Sequence, residues 1–258
     1  MEIKLWENEI PMYDENLDTP NSMTAYLTPT WQKVPAIVVL PGGGYGSRAP
    51  HEGEDIARFY QSMGIHAFVV NYRLYPHKFP VPLIDAQRAI KILKKNADKY
   101  AIDENRIFVI GFSAGGHLAS CVATMEDYSK IGDEYDEISP SVTGAVLSYA
   151  VTSALEEDGK VTDCVARLTD KTPEEREKLT TYKRVTEKTP PCFIWHTAGD
   201  YGVPITHSLK FAEALYELKI PVEMHIFPKG PHGLGLAKIY RDASKWAPLT
   251  VEWIQNNF

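Results

Sequence analysis

The chain has 258 residues and a formal net charge of −7 at pH 7, and 44% of its residues are hydrophobic. This length suits one α/β domain, and we expect a single domain over residues 1–258. An acidic chain has no electrostatic attraction to nucleic acid or to an anionic membrane surface, and no apolar run approaches the ~18 residues of a membrane span. The sequence therefore predicts a globular protein that binds neither.

The N-terminal residues and the cysteines indicate a compartment. Residues 1–6, Met-Glu-Ile-Lys-Leu-Trp, lack the basic and apolar segments of a signal peptide. The three cysteines, Cys121, Cys164 and Cys192, are odd in number and have no metal-ligand spacing, which is typical of reduced, packed thiols. These features predict a cytoplasmic protein without a metal site. Nothing in them decides the oligomeric state, so a homo-oligomer is left open.

Short apolar segments alternate with segments of helical periodicity along the chain. The apolar segments predict strands near residues 3–6, 24–28, 36–40, 66–71, 107–110, 143–149, 192–197 and 222–227, the first two as an antiparallel pair at one sheet edge. Helical periodicity predicts helices near residues 54–63, 83–97, 209–218 and 246–254, and a helix-compatible segment follows residues 111–115. This alternation predicts an α/β fold with a mostly parallel sheet of about eight strands, covered on both faces. Ligands bind such sheets at the carboxyl ends of the strands.

Residues 151–189 are longer and more charged than a usual connection. Within them Thr172, Pro173 and Glu175 fit a helix N-cap, a proline at the first helical position and a capping-box glutamate. We interpret the segment as an insertion. It is either a cap over the carboxyl edge of the sheet or a solvated surface segment.

The segment Gly-Phe-Ser-Ala-Gly, residues 111–115, lies between an apolar run and a helix-compatible segment. A Gly-x-Ser-x-Gly pattern in this context is typical of a nucleophile elbow. Gly111 and Gly115 permit close backbone contacts, and the start of the helix directs unpaired N–H groups towards Ser113. The motif predicts that Ser113 is a catalytic nucleophile rather than part of an ordinary glycine-rich turn.

A serine hydroxyl needs a base to take its proton and an acid to orient that base. Among the eight histidines, we expect His232 to be the base because it lies in a Pro/Gly-rich loop directly after the last predicted strand, and His196 is the second candidate. Asp200 follows the strand at 192–197 and is expected to accept from the imidazole, with a turn aspartate as the alternative. The order Ser113, Asp200, His232 is that of α/β-hydrolases.

An oxyanion needs preorganised hydrogen-bond donors. We expect the backbone N–H groups of Ala114, Gly43 and Gly44 to supply them, since Ala114 follows the nucleophile and the glycines form a run at 42–44. A phosphate-binding loop is the alternative, but the Lys-Ser/Thr ending of a P-loop is absent. Tyr45 is a candidate contact for the acyl group or the sugar, with core packing as the alternative. This chemistry needs no metal or organic cofactor.

The motifs together resemble those of α/β-hydrolase carboxylesterases. They are Pro-Gly-Gly-Gly-Tyr at 41–45, Asn-Tyr-Arg-Leu at 71–74, Gly-Phe-Ser-Ala-Gly-Gly-His at 111–117, Gly-Asp-x-x-Val-Pro at 199–204 and Gly-Pro-His-Gly at 230–233. The likeness is to bacterial carbohydrate esterases of the acetylxylan and feruloyl esterase group, and also to hormone-sensitive-lipase-type esterases, and it runs from Val34 to the C-terminus. Pro41 departs from the pattern, because many relatives have histidine there, but the backbone donors survive that change.

The resemblance implies deacetylation of plant-polysaccharide fragments, whereas the residues themselves indicate only acyl transfer from an ester. We therefore predict a serine esterase that removes short acyl groups, above all acetyl, from carbohydrates such as acetylated xylo-oligosaccharides through an acyl-enzyme. A general short-chain carboxylesterase, a lipase, an arylformamidase or a small peptidase can use the same residues. A non-catalytic ligand receptor is a further alternative, less favoured because the chain keeps all three triad candidates.

Overall fold

The computed structural model describes residues 1–7, 9–155, 162–169 and 172–258. Eight strands and seven α-helices lie within these residues. The strands are β1 Glu2–Lys4, β2 Ser22–Tyr26, β3 Val34–Leu40, β4 His66–Val70, β5 Ile102–Phe112, β6 Gly144–Ser148, β7 Cys192–Thr197 and β8 Val222–Phe227. The helices are α1 Glu54–Ser62, α2 Val81–Lys95, α3 Ala114–Thr124, α4 Asp163–Leu168, α5 Pro173–Lys178, α6 Thr206–Glu217 and α7 Trp246–Asn257. Within the described ranges no helix has the length and apolarity needed to cross a bilayer.

The strands form one sheet in the order β1-β2-β4-β3-β5-β6-β7-β8. The six strands from β3 to β8 pair in parallel, and β2 pairs antiparallel with both β1 and β4. Parallel neighbours need crossover connections, and helices supply them. The predicted eight-stranded, mostly parallel sheet is confirmed, and so is the antiparallel pair at its edge. The carboxyl ends of β5, β7 and β8 therefore lie along one edge of the sheet.

The core has two layers because the sheet is covered on both faces. In β3, Val38 and Leu40 pack in the layer that contains α2, α3 and α6, while Ile37 and Val39 pack in the layer that contains α1 and α7. Since successive side chains of a strand point to opposite faces, a strand buried on both sides is almost continuously apolar. This is why short β-branched runs were sufficient to locate the central strands.

The predicted helix near 209–218 is confirmed as α6, but only some of its apolar side chains are buried. Leu209 and Leu218 are 47% and 40% exposed, whereas Phe211, Leu215 and His207 are buried. His207 is buried because its Nδ1 accepts a hydrogen bond at 2.9 Å from the N–H of Thr152. The inward face of the helix therefore combines Phe211 and Leu215 with a polar side chain that has a partner in the core.

The described part of the 151–189 segment contains α4 and α5, and residues 156–161 and 170–171 of it lie outside the described residues. Helix α4 buries Val165 and Leu168 against the core, whereas α5 buries no side chain. The predicted N-cap of α5 is confirmed, because the Thr172 side chain accepts a hydrogen bond from the N–H of Glu175 at 3.3 Å. One helix of the segment is thus packed and the other is solvated.

A buried ion pair ties α2 to the connection that precedes it. Asp85 and Arg73 are both fully buried, with 2.7 Å between Asp85 Oδ1 and the guanidinium of Arg73. Trp6 donates its indole N–H to the same oxygen at 3.2 Å.

We expect Asp85→Ala to lower the free energy of unfolding by about 3–5 kcal/mol, because it leaves a buried guanidinium without a counter-charge. Urea denaturation measures this. The control Asp98→Ala breaks an exposed pair with Lys33 and should hardly move the midpoint, so equal effects of the two variants would contradict the prediction.

Candidate active site

Ser113 lies in the turn between β5, which ends at Phe112, and α3, which begins at Ala114. Its φ of 54° and ψ of −118° place it in a region that side chains rarely adopt, and its N–H donates to the carbonyl of Ser148 at 3.0 Å. The turn is possible because its neighbours are glycines: a Cβ on Gly115 would lie 2.1 Å from the carbonyl oxygen of Leu40. Such strain is typical of a nucleophile elbow, which holds the serine side chain clear of the sheet.

The structure brings Ser113, His232 and Asp200 together as the sequence predicts. The distance from Ser113 Oγ to His232 Nε2 is 2.7 Å, and the distance from His232 Nδ1 to Asp200 Oδ2 is also 2.7 Å. With the Nδ1–H donated to Asp200, Nε2 is an acceptor for the serine hydroxyl proton. The three residues are more than 30 positions apart in sequence, yet each follows a parallel strand at the same edge of the sheet.

Asp200 is held by more than the histidine. Its Oδ1 accepts the N–H groups of Gly202 and Val203 at 2.8 and 2.9 Å. Burial by itself raises the pKa of Asp200, but hydrogen bonds from His196, His232 and the Val203 N–H outweigh it and hold the pKa well below the usual 3.8. The carboxylate therefore stays ionised, as an orienting partner of an imidazole must. The aspartate turn, which was the alternative for this residue, is also present. Its two N–H groups donate to Oδ1 only, so Oδ2 is available to His232.

His196, the second candidate for the base, contacts Asp200 from inside the core. Its Nε2 lies 3.0 Å from the carbonyl of Val203 and 3.3 Å from Asp200 Oδ2, and its Nδ1 accepts from the Ser208 hydroxyl at 2.8 Å. It is fully buried and does not face Ser113. His196 therefore supports the carboxylate rather than the serine, a contact that sequence reasoning missed.

The glycine run passes directly beside Ser113, since a Cβ built on Gly42 would lie 3.0 Å from the Ser113 Cβ. Gly43 and Gly44 have φ values of +124° and +62°, which only glycine adopts without strain. Within the described residues, the N–H groups of Gly43, Gly44 and Ala114 donate no hydrogen bond to the chain, whereas the N–H of Gly42 donates to Glu52 at 2.8 Å. The three donors that the sequence predicts for an oxyanion hole are thus among the unengaged N–H groups of the described residues.

The peptide groups that carry two of these donors are fixed through their carbonyls. The Gly42 carbonyl accepts from Ala49 at 2.9 Å, and the Gly43 carbonyl accepts from Gly46 and Ser47 at 3.0 and 3.1 Å. Because a bonded carbonyl polarises the N–H of the same peptide group, these contacts both orient and strengthen the donors at Gly43 and Gly44.

Helix α4 of the 151–189 segment contacts the glycine run. The Arg167 guanidinium donates to the carbonyl of Gly44 at 2.7 Å and lies over Gly46. The described part of this segment therefore covers one side of the glycine run, which favours the cap over a purely solvated segment for α4.

Tyr45 does not occupy the place expected for a substrate contact. Its side chain is fully buried and lies in the core layer of α2 and α3. Its hydroxyl donates to His117 Nδ1 at 2.9 Å, and His117 donates from Nε2 to the carbonyl of Leu179 at 2.8 Å. Burial lowers the pKa of His117 to about 4, so this imidazole is neutral and can accept from the phenol. The packing alternative for Tyr45 is the one that the structure supports, because the turn at Tyr45 directs its side chain inwards.

Two further residues at the site were not found from the sequence. Glu52 is 2% exposed and accepts hydrogen bonds from the Gly42 N–H and from the hydroxyl of Tyr149 at 2.6 Å. The Tyr149 ring lies edge-on to the His232 ring, with 5.1 Å between the centroids. The only sequence signal for Glu52 is its place just after the glycine run, and such a position is no sign of burial.

A cleft of about 360 Å³ opens beside His232. Its lining combines polar groups of His51, Asp55 and Lys238 with the apolar side chains of Leu234 and Ile239. Within the described ranges, no group of three or more His, Cys, Asp or Glu side chains is arranged to hold a metal ion. The arrangement thus offers a hydroxyl with a base, three free N–H donors and an adjacent open cleft.

Comparison with known proteins shows what the chain is similar to. The family model BD-FAE matches residues 23–215. The crystal structure of an acetyl ester-xyloside bifunctional hydrolase from Caldicellulosiruptor lactoaceticus is 40% identical to the chain, covers 99% of it and 96% of its own length, and has a TM-score of 0.93. Endo-1,4-beta-xylanase B of Butyrivibrio fibrisolvens is 37% identical over 243 residues, which are 90% of this chain and 38% of the relative.

An acetylxylan esterase of Xylanibacter ruminicola is 31% identical over 212 residues, which are 80% of this chain and 42% of that protein. The chain thus spans about two fifths of the length of these two curated relatives. The match to the family model extends over most of the chain, and the structural similarity over nearly all of it. The chain therefore belongs to the BD-FAE family and contains a carboxylic ester hydrolase with the α/β-hydrolase fold.

Proposed function

We propose that the chain is a serine esterase that cleaves short acyl esters, chiefly acetyl esters, of carbohydrates such as xylo-oligosaccharides. The observation that carries this proposal is the hydrogen-bonded chain from Ser113 Oγ through His232 to Asp200, with 2.7 Å at each step. A serine, a histidine and an aspartate in this geometry are the parts that acyl transfer requires.

In the proposed reaction, Ser113 Oγ attacks the ester carbonyl while His232 Nε2 takes the hydroxyl proton. His232 then returns that proton to the alcohol oxygen as the ester bond breaks, which leaves the acyl group on Ser113. A water molecule, deprotonated by His232 in turn, hydrolyses this acyl-enzyme and frees the serine. Asp200 keeps the imidazole in the required tautomer and stabilises its charged form.

The tetrahedral intermediates carry negative charge on the former carbonyl oxygen. We assign its stabilisation to the N–H groups of Gly43, Gly44 and Ala114, which donate no hydrogen bond within the part of the chain that the structure describes. Each such donor typically contributes about 10²- to 10³-fold in rate. The Ala114 group also lies at the N-terminus of α3, where the helix dipole favours negative charge.

The carbohydrate part of the proposal is supported by the family and by the names of the relatives. Both an acetylxylan esterase and an acetyl ester-xyloside hydrolase are similar to the chain over most of its length. A general short-chain carboxylesterase is the second candidate. It is favoured by the cleft beside His232, whose rim includes Ile239 at 89% exposure and thus offers apolar surface to an alkyl or aryl group.

Two substrate series separate these candidates. One measures acetate release from acetylated xylo-oligosaccharides, and the other measures kcat/KM on p-nitrophenyl esters from acetyl to dodecanoyl. We expect acetate release from the oligosaccharides and a fall of about 10-fold or more from the acetyl to the hexanoyl ester, since a pocket discriminates each misplaced methylene. Turnover of the p-nitrophenyl esters without any acetate release from the oligosaccharides would instead support the general carboxylesterase.

A further inference from the structure

A buried carboxylate connects the two loops on which the proposed reaction depends. Glu52 ends the short 3₁₀ turn Pro50–Glu52, which follows the glycine run and precedes α1. Its Oε2 accepts the Gly42 N–H at 2.8 Å, and its Oε1 accepts the Tyr149 hydroxyl at 2.6 Å. The side chain is 3% exposed, and neither oxygen contacts Ser113 or His232.

Tyr149 extends this connection to the loop of His232. Its hydroxyl oxygen accepts the N–H of Gly235 at 2.9 Å, while its ring lies edge-on to the imidazole. Burial and the neighbouring Glu52 carboxylate raise the pKa of Tyr149 well above its usual value, so the phenol stays protonated and donates to Glu52. The loop is also held at Gly233, whose carbonyl accepts from His51 Nε2 at 2.9 Å.

We propose that Glu52 is a positioning residue that sets the distance between the oxyanion donors and His232. The reaction needs the Gly43 and Gly44 N–H groups and the imidazole at fixed places on either side of Ser113. A glycine run has no side chains that could hold its backbone. The hydrogen bond from the Gly42 N–H to Glu52 therefore fixes the position of the residue that directly precedes the two donors. The same carboxylate, through Tyr149, holds the loop that carries the base. This inference rests on the proposed function, because it assumes that Ser113 is the nucleophile.

The chemistry of the site requires a carboxylate. Each oxygen of Glu52 accepts from a donor that has no other acceptor within the described ranges, Oε2 from the Gly42 N–H and Oε1 from the Tyr149 O–H. Glutamine has the same shape but only one acceptor oxygen, so its NH₂ group must face one of these donors. An NH₂ group facing Gly42 leaves the glycine run without its anchor. An NH₂ group facing Tyr149 has to donate to the phenol oxygen, which already accepts from Gly235, and the phenol hydrogen then loses its acceptor. A misplacement of about 1 Å at a reacting group costs about 10²-fold in rate.

The test compares Glu52→Gln and Tyr149→Phe with the wild type on p-nitrophenyl acetate. We expect kcat to fall about 100-fold in Glu52→Gln and at least about 10-fold in Tyr149→Phe, with KM within about threefold of the wild type. The inhibition constant of phenylboronic acid, which forms a tetrahedral anion on a reactive serine, should rise with the fall in kcat. The double variant should be no slower than Glu52→Gln, because both changes cut the same connection.

The matched control is Glu54→Gln, two residues further on, which alters an exposed pair with Arg58 at 2.6 Å and should leave kcat unchanged. A folded Glu52→Gln with kcat and boronate inhibition like the control overturns the inference, and so do effects of the two variants that multiply in the double variant. If Glu52→Gln does not fold, Tyr149→Phe decides, because it keeps the ring and removes only the hydroxyl.

The proposed function and this inference fail in different ways. If Ser113→Ala keeps its activity, the proposed function is wrong whatever Glu52 does. If Ser113→Ala is inactive while Glu52→Gln and Tyr149→Phe work like the wild type, only the inference about Glu52 is wrong.

Discussion

Replacing Ser113 with alanine should lower kcat/KM for p-nitrophenyl acetate by at least about 10⁴-fold, the loss expected when a triad nucleophile is removed. The hydroxyl is the one group of the site that forms a bond to the substrate in the proposed mechanism. The remaining donors at Gly43, Gly44 and Ala114 can still polarise a bound ester, so a residual rate above that of water is expected. Initial rates at substrate concentrations well below KM measure kcat/KM for the variant and for the reaction without enzyme.

The control for this variant is Ser244→Ala, which removes a surface hydroxyl that donates to the Arg241 carbonyl at 3.1 Å and should leave kcat/KM unchanged. A phosphonate that labels active-site serines should modify the wild type and Ser244→Ala once per chain, and should not modify Ser113→Ala. A Ser113→Ala variant that is folded and retains wild-type turnover would exclude the acyl-enzyme mechanism. A wild type that hydrolyses neither ester series would favour the receptor alternative.

Replacing Asp200 with asparagine should lower kcat by about 10⁴-fold while KM changes little. The N–H groups of Gly202 and Val203 both donate to Oδ1, so the amide oxygen of asparagine must take that place. Its NH₂ group then occupies the place of Oδ2 and donates to His232 Nδ1. The imidazole responds by carrying its proton on Nε2, and it can no longer accept the proton of Ser113.

Asp136 provides a control for this argument, because it also accepts two backbone N–H groups and contacts no histidine. The N–H of Ile131 donates to its Oδ1 at 3.0 Å and that of Gly132 to its Oδ2 at 2.8 Å. Asp136→Asn should leave kcat unchanged. Thermal unfolding of both variants shows whether either change acts on stability. If Asp200→Asn loses no more activity than Asp136→Asn, the turn alone explains Asp200 and the orienting role is wrong.

Local sequence was enough to predict the sheet and most of its helices. Strands buried on both faces are short apolar runs, and a parallel order follows from their alternation with helices. The limits of this reasoning appear in α6, where Leu209 is exposed and His207 is buried. Hydrophobic spacing locates a helix, but Leu209 does not mark its inward side, which Phe211, Leu215 and His207 share. His207 has a partner there in Thr152, which is 55 residues away in the chain.

The site candidates followed from the same logic, because a residue directly after a parallel strand lies at the carboxyl edge of the sheet. Ser113, Asp200 and His232 each have that position. Gly43 and Gly44 were candidate donors for a reason that is also local, since a run of residues without side chains lets backbone N–H groups converge on one point. These predictions needed only the local backbone and the order of the strands.

The sequence by itself thus determined the elements, the strand-end positions of the three reactive candidates and the glycine run. The tertiary structure decided which side chains support them: His196 behind Asp200, Glu52 and Tyr149 between the two loops, and Tyr45 in the core instead of the cleft. These roles depend on hydrogen bonds between residues distant in the chain, such as the 97 positions between Glu52 and Tyr149. A buried acid and an exposed one have the same local sequence pattern, and only the packing around them sets their partners.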